Sequence, residues 1–412
     1  MSGTGRTIYI AGAGIAGLTL ALALAKFGAH VVVLERNKAV QEIGAGLQIS
    51  PNARKALNQL GLEKALHARS FEPSGIDVFP FRANKPLVTL ALGTEITRRY
   101  GAPYAVMHRA DLVDVLFKAC KRFANIDILF GVRAYDVVTH ARGISVAVDE
   151  ADGKSRNAQA YAFVGADGVA SPTRTGILQG EPASYSGFVA WRTTLPIDAL
   201  KGAVASDRTT LLMAPGYHAV CYPLPYRQRI NIALFAKEKE ADALGNPPTA
   251  PKLPWAALPS RQFQAVMRAA EGTWGYWIMS TVSAPRWHEG GIGLIGDAAH
   301  AMLPFQAQGA AMAIEDAAIL APLLMTEPSA ESAFTRYEAL RRPRVEKVAK
   351  LSRSNGFAFH LEWPFTIGRN LVIASQGRLG HLKRLDWLYS YDPAPEPAIA
   401  APPRSPRPER QT

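Results

Sequence analysis

The sequence predicts an α/β protein: a parallel-sheet core opens the chain, a strand-rich insertion follows, and helices end it. Three observations carry this. An apolar run at residues 8–11, a helical pattern at 15–27 and a second apolar run at 31–34 make a βαβ unit. Residues 187–282 are strand-rich, with aromatics between Pro and Gly breaks. A buried strand then returns at 292–295, followed by an apolar helix at 309–324 and a long basic helix at 332–354.

The remaining elements follow in order. A helix at 51–60 ends at Gly61, and an amphipathic helix at 111–123 puts Leu112, Val115, Leu116 and Ala119 on one face. Strands are predicted at 127–132, 144–148 and 162–165. Pro343 predicts a kink in the last helix. The chain of 412 residues suits two or three domains. The division predicted is a core domain in three pieces (1–73, 107–185 and 286–325), a second domain built from strands at 74–106 and from 186–285, and a helical segment at 326–392. Residues 393–412 hold seven prolines and are expected to be disordered.

The first motif fills the turn of the βαβ unit. Gly12 allows a tight turn, Gly14 lets backbone approach a pyrophosphate, and Gly17, next to Ala16, lets the helix pack on the sheet. The helix amides then face phosphate oxygens. Glu35, followed by Arg36, ends the second strand, where a carboxylate accepts from ribose hydroxyls. This is a Rossmann-like dinucleotide site for an adenosine with a free 2′-hydroxyl, as in FAD or NAD.

Simple counts exclude other classes. Cys120 and Cys221 are the only cysteines, and without a CxxC pair there is no dithiol, zinc ribbon or iron–sulfur set; no metal is expected. The start lacks an apolar leader, and the uncharged stretch at 10–25 is shorter than the ~20 residues that span a bilayer. A cytoplasmic protein without stable membrane insertion is expected. Forty-six basic and 34 acidic groups give +12, which opens three partners: nucleic acid, an acidic membrane surface or small anions.

Three further segments narrow this. They are Ile43-Gly-Ala-Gly46-Leu-Gln48 through Ser50-Pro51-Asn52, Gly165-Ala-Asp167-Gly168 through Arg174, and Gly296-Asp297-Ala-Ala-His300 through Pro304-Phe305 to Gln308-Gly309-Ala310. Together with residues 385–389, they resemble the single-component (group A) FAD-dependent aromatic hydroxylases of the salicylate, 3-hydroxybenzoate and 6-hydroxynicotinate hydroxylase-like group. The resemblance implies FAD as cofactor, NADH or NADPH as co-substrate held without its own Rossmann domain, and O₂ activated as a flavin C4a-hydroperoxide that hydroxylates a small phenolic or heteroaromatic acid. A homodimer is also implied. It places Arg109 at the FAD phosphates, Asp167 at the pyrophosphate or ribityl chain, and the Pro304 carbonyl beside Phe305 over the ring. A histidine in place of Phe305 in some relatives sets a pyridine-type substrate in question.

The residues speak for themselves as well. Asp297 follows a strand end, where it can accept from ribityl hydroxyls or cap a turn. Amides at Gln308, Gly309 and Ala310 would face the electron-rich edge of a flavin. Gln48 and Asn52 are placed for polar contacts near the ring. His300 reads as structural. Asp167 could equally end a strand, and Arg109 could pair with Asp111 or Asp114. In the middle block, His218 and Tyr222 share one strand face and could hold and deprotonate a phenol, or form an ordinary sheet pair. Tyr217 is the fallback from the opposite face. Arg192 either pairs with a substrate carboxylate or orders the sheet. Trp274 and Trp277 read as core.

Alternatives on the same fold are a hydroxylase of a quinone precursor, lipid or polyketide, and a non-catalytic flavin redox sensor. Residues 336–353 carry net +5, away from the flavin motifs and without nucleic-acid features. The charge therefore fits anionic nucleotides and an aromatic acid rather than nucleic acid, with part of it solvated surface.

Overall fold

The first strand, β1 (Thr7–Ala11), leads into α1 (Ile15–Lys26) and β2 (His30–Glu35). The computed structural model describes residues 5–40, 45–140, 143–150, 153–245, 248–251 and 260–393. β3 (Gly46–Ile49), α2 (Pro51–Gln59), α3 (Glu63–His67), β4 (Gly75–Phe79), β5 (Val88–Ala91), α4 (Gly93–Tyr100), β6 (Ala105–His108) and α5 (Arg109–Cys120) follow. Next come β7 (Ile126–Phe130), β8 (Val132–His140), β9 (Gly143–Glu150), β10 (Ser155–Ala160) and β11 (Ala162–Gly165). The middle block holds β12 (Ser184–Pro196), β13 (Thr209–Ala214), β14 (Tyr217–Leu224), β15 (Arg229–Lys237), α6 (Glu240–Ala243), α7 (Arg261–Ala269) and β16 (Gly275–Thr281). The chain closes with β17 (His288–Glu289), β18 (Ile292–Leu294), α8 (Asp297–His300), α9 (Gly309–Thr326), α10 (Ala330–Phe359) and α11 (Phe365–Tyr389).

Two sheets dominate. The first runs β17-β18-β11-β1-β2-β7, and all its pairs are parallel except β17–β18. Its strands are unbroken apolar runs because helices cover them. The second runs β16-β12-β15-β14-β13-β4-β5. It draws β4 and β5 from the early chain, while β6 pairs instead with β3. Pro343 does not end the helix: α10 runs through the proline as one helix, with Arg341 and Val345 buried on its two flanks. Non-helical backbone falls instead in α11, within the expected helical segment, at Gly377 with φ +59°. Ile43, Gly44 and the tail from residue 394 lie outside the described residues.

α9 is long and apolar enough to cross a membrane by composition, yet two-thirds of it is buried within the protein. It lies against α1, α2 and α10, and it carries Glu315 and Asp316, both fully buried. The basic stretch of α10 answers them, which corrects the expectation that its charge lies apart from the cofactor motifs. The fully buried Arg341 reaches Glu315 at 2.6 Å and Asp316 at 2.8 Å, and Arg344 clasps both oxygens of Glu315 at 2.7 and 2.8 Å. Asp316 also accepts from the Gly296 amide at 2.9 Å and meets His300 Nε2 at 2.6 Å. Glu315 accepts from Asn52 at 2.7 Å. Burial alone would raise the Asp316 carboxyl; the charges and hydrogen bonds of His300 and Arg341 outweigh it and hold the group down at about 2.

Replacing Arg341 with Met leaves these buried carboxylates short of a counter-charge. A loss of about 3–5 kcal/mol in urea unfolding is expected. Because the folded Asp316 is depressed, its contribution is complete above the ordinary carboxylate range and fades as pH falls. The stability gap between wild type and Asp316→Asn should therefore be constant above about pH 5 and shrink between about pH 4 and pH 2.

Candidate active site

The site begins at the carboxyl end of β1. The Gly12 amide donates to the Leu34 carbonyl at 2.8 Å, and its φ of +103° suits only glycine. A Cβ at Gly12 would lie 2.5 Å from the Ala166 carbonyl oxygen, and one at Gly17 would lie 1.9 Å from the Gly12 oxygen. β1, β11 and α1 thus meet at a turn with no room for a side chain. α1 starts at Gly14 without a side-chain cap, so its first amides are left for a ligand. Glu35 is nearly buried and accepts from the Ala13 amide at 3.0 Å and from Asn37 at 2.7 and 2.9 Å. It ties the end of β2 to the glycine turn. Arg36 beside it is exposed.

A second helix start faces the same region. Ala16 and Ala313 flank Gly296, bringing the first turns of α1 and α9 together. The Gln308 side chain is committed to Ser50 at 2.9 Å and to Asn52 at 3.1 Å. Consequently α9 also starts without a side-chain cap, and the Gly309 and Ala310 amides are available to an electron-rich ligand edge. Asp297 is exposed and makes no hydrogen bond among the described residues. Its Oδ1 would be 4.0 Å from a Cβ at Gly309.

Two of the expected ligand contacts turn inward. The Asp167 carboxylate accepts from Ser171, from the Thr173 amide and hydroxyl, and from Tyr135 at 2.5–2.9 Å. It fixes the turn after β11, while the adjoining Ala166 backbone is what presses on Gly12. Asn52 is fully buried and struts Gln308 and Glu315 rather than meeting a ring. Arg109 opens α5, with its amide on the Ala45 carbonyl at 3.2 Å. Asp111 pairs with Arg227, and Asp114 with Arg69 and Lys118.

The large sheet supplies the opposite wall. Alternation along β14 sends His218 and Tyr222 toward the cofactor region and Tyr217 the other way, where it packs edge-on to Phe263. Tyr217 is therefore core and not a substrate contact. The Tyr222 ring lies over Gly46, where a Cβ would be 2.6 Å from its hydroxyl. Asn231, missed in the sequence, accepts from the Gly46 amide at 2.6 Å; its cross-strand pairing with Tyr222 was the available signal. Gln48 bonds to the Tyr104 hydroxyl. His218 stacks on Phe235 and meets Phe305 edge-on, with centroids 4.9 and 5.0 Å apart. Arg192 projects from β12 over Phe235 and Trp277. It forms no ion pair among the described residues. Burial, opposed by Tyr222 and reinforced by the like charge of Arg109, presses its pKa below the ordinary arginine value. The Pro304 carbonyl accepts from the Ala307 amide at 2.9 Å, which closes the turn after it. α10 backs this loop: Ser352 donates to the Leu303 carbonyl, Asn355 to the Phe305 carbonyl at 3.2 Å, and Gly356 leaves room for the Phe305 ring.

Two uncapped helix starts, a turn closed to side chains and an unpaired carboxylate beside them fit FAD; Gly12–Gly17 would hold its pyrophosphate and Asp297 its ribityl hydroxyls. Fold and site define a dinucleotide-binding flavoprotein whose cofactor cleft is roofed by a β-sheet. A family model described as FAD binding domain matches residues 6–352, and the chain belongs to that family. It is 32% identical to a 3-amino-4-hydroxybenzoate 2-monooxygenase of Streptomyces platensis, covering 94% of this chain and 96% of that protein. It is 29% identical to 3-hydroxybenzoate 6-hydroxylase 1 of Aquipseudomonas alcaligenes, covering 93% and 97%. The fold matches that of Klebsiella pneumoniae HpxO complexed with FAD and uric acid at a TM-score of 0.77 and 22% identity, over 92% of this chain and 95% of that one. The chain is a flavoprotein monooxygenase of the aromatic-hydroxylase type.

If Asp297 holds FAD, Asp297→Ala should weaken FAD binding to the apoprotein about 10- to 100-fold, the equivalent of one charged hydrogen bond. Flavin fluorescence titration reads this directly.

Proposed function

We propose that this monooxygenase hydroxylates a small aromatic acid bearing a ring hydroxyl, using NADH or NADPH and O₂. The observation that carries the reading is Arg192, a half-buried guanidinium with no ion pair among the described residues, on the same sheet as His218 and Tyr222. Leaving such a charge unanswered in a cleft is unfavourable, and a substrate carboxylate answers it with two parallel hydrogen bonds. The hydroxybenzoate relatives are named for substrates that carry one.

Bound FAD would supply the redox chemistry, nicotinamide oxidation and activation of O₂ for transfer of one oxygen atom. The protein does the rest. Arg192 holds the carboxylate and so fixes which ring carbon faces the cofactor. His218 accepts the phenolic proton, Tyr222 contacts the ring hydroxyl, and Phe235 and Phe305 exclude water. Removing the proton matters because a phenolate ring is the better nucleophile toward an electrophilic oxygen. The reading includes a cytosolic homodimer. Trp363, Phe365, Ile367, Leu371 and Val372 place a large apolar strip at the surface of the α10–α11 region, and both cysteines are free.

The test follows NADH and NADPH oxidation across hydroxylated benzoates and pyridine carboxylates, with product analysis. Oxidation without hydroxylated product across the whole panel overturns the proposal. Arg192→Met should raise KM for the carboxylated substrate about 10- to 100-fold, with a far smaller effect on the carboxamide analogue.

A further inference from the structure

His218 does not end in the site; it continues into a second histidine. Its Nδ1 lies 2.7 Å from Nε2 of His360, the residue that caps the carboxyl end of the 30-residue helix α10. Phe305 and Phe359 meet the His218 ring edge-on, Phe235 stacks on it, and Phe188 lies against His360. Both imidazoles are almost wholly buried. Because Nδ1 is used, Nε2 is the His218 atom left for a ligand. On the far side, His360 Nδ1 is buried and has no hydrogen-bond partner among the described residues. Two residues further along the chain, at Glu362, the surface begins.

We propose that His360 is the second station of a proton relay that carries the substrate's ring-hydroxyl proton from His218 out of the aromatic enclosure. This rests on the functional reading above. The steps balance. The substrate O–H bond breaks and a His218 Nε2–H bond forms. The Nδ1 proton of His218 passes to His360 Nε2, and the His360 Nδ1 proton leaves to water at the surface. The net change is phenol to phenolate plus one hydronium ion, with no oxidant or reductant involved. After the transfer the pair holds the opposite tautomer, and reprotonation by the same path resets it when the hydroxylated product regains its proton.

The charges around the pair support transfer outward. The negative end of α10 favours a transient cation on His360. The ammonium of Lys237, on β15, opposes its persistence, and Arg192, from β12, lies across Phe235 on the substrate side. Tyr222 is the remaining ionisable group on this face of β14, and burial holds it neutral. Phe235, Phe305 and Phe359 line the His218 ring and Phe188 and Phe305 lie against His360, so the histidine pair is the polar contact inside this aromatic enclosure. A merely structural partner for His218 would need to donate or accept one hydrogen bond only; a relay needs both imidazole nitrogens.

Substitution by glutamine tests that distinction, since its amide can keep a hydrogen bond to His218 but cannot pass a proton through. The holoenzyme is mixed with 3-hydroxybenzoate and 3-amino-4-hydroxybenzoate in a stopped-flow instrument. Phenolate absorbance and a pH indicator are recorded together, with no nicotinamide present. For the wild type, phenolate formation and proton release should be synchronous. In His360→Gln both should slow about 100-fold, while FAD content and substrate Kd stay within about twofold, and His360→Ala should be rescued by added imidazole. Wild-type rates in His360→Gln overturn the relay and leave His360 as a hydrogen-bond partner. If the wild type forms no phenolate and releases no proton on binding a panel compound that it hydroxylates, the relay falls while the functional reading stands; if it hydroxylates nothing in the panel, the functional reading falls and the relay with it.

Discussion

The buried contact of Arg341 with Glu315 and Asp316 is the constraint on which the rest depends. Two carboxylates in the middle of an apolar helix are costly unless every oxygen is answered. Here the answers come from separate parts of the chain. Asp316 takes the amide of Gly296 and the ring of His300, and Glu315 takes Asn52 and Arg344. Gly296 leads into Asp297, and Asn52 holds Gln308 at the start of α9. The turns at Gly296 and Gln308 therefore take their positions from a buried charge network. Arg344 extends it to the carbonyls of Trp387 and Leu388, which ties the end of α11 to the same point.

This explains which parts of the site were legible. The glycine turn could be read because its requirement is local: positive φ, close backbone approach and a helix start within six residues. Asp297, at the end of a strand, is of the same kind. Asp167 and Asn52 carry equally recognisable neighbours, yet their side chains face inward. Their partners (Thr173 and Tyr135 for one, Glu315 for the other) are set by tertiary packing. The period-two alternation of β14 correctly separated Tyr217 from His218 and Tyr222, but not which face met the cofactor. That choice is made by α7, whose Phe263 claims Tyr217. The basic run on α10 misled for a simpler reason. Composition counts charge without direction, and a helix sends Arg341 into the core and Arg336 into solvent five residues apart.

α10 thus has two roles on one helix. Its first half supplies Arg341 and Arg344 to the charge network behind the cofactor. Its second half supplies Ser352, Asn355 and Gly356 to the Leu303–Gln306 turn and ends at His360 against His218. A helix interrupted at Pro343 would separate these tasks. As one continuous helix, it makes the position of the Phe305 turn depend on the same element as the cofactor loops. Cofactor and substrate walls come from different sheets, and α10 spans both.

The chemistry of the cleft also resolves an apparent mismatch. Burial pushes His218 well below the ordinary histidine value, with His360 adding to the effect, and His360 itself falls to about 4. Such weak bases look unsuited to a phenol, whose ordinary value is about 10. The surroundings alter the acid as well as the base. Arg192 and the nearby Arg109 raise the local positive potential, which lowers the energy of a phenolate as it raises that of an imidazolium. The same field thus favours a bound phenolate with its proton exported over a neutral phenol beside a protonated histidine. A strong base would keep the proton in the cleft as an imidazolium, next to Arg192 and in competition for the phenolate. In the proposed relay a weak, neutral pair would keep the charge on the ring, where it would promote oxygen transfer, and would leave the guanidinium to orient the substrate.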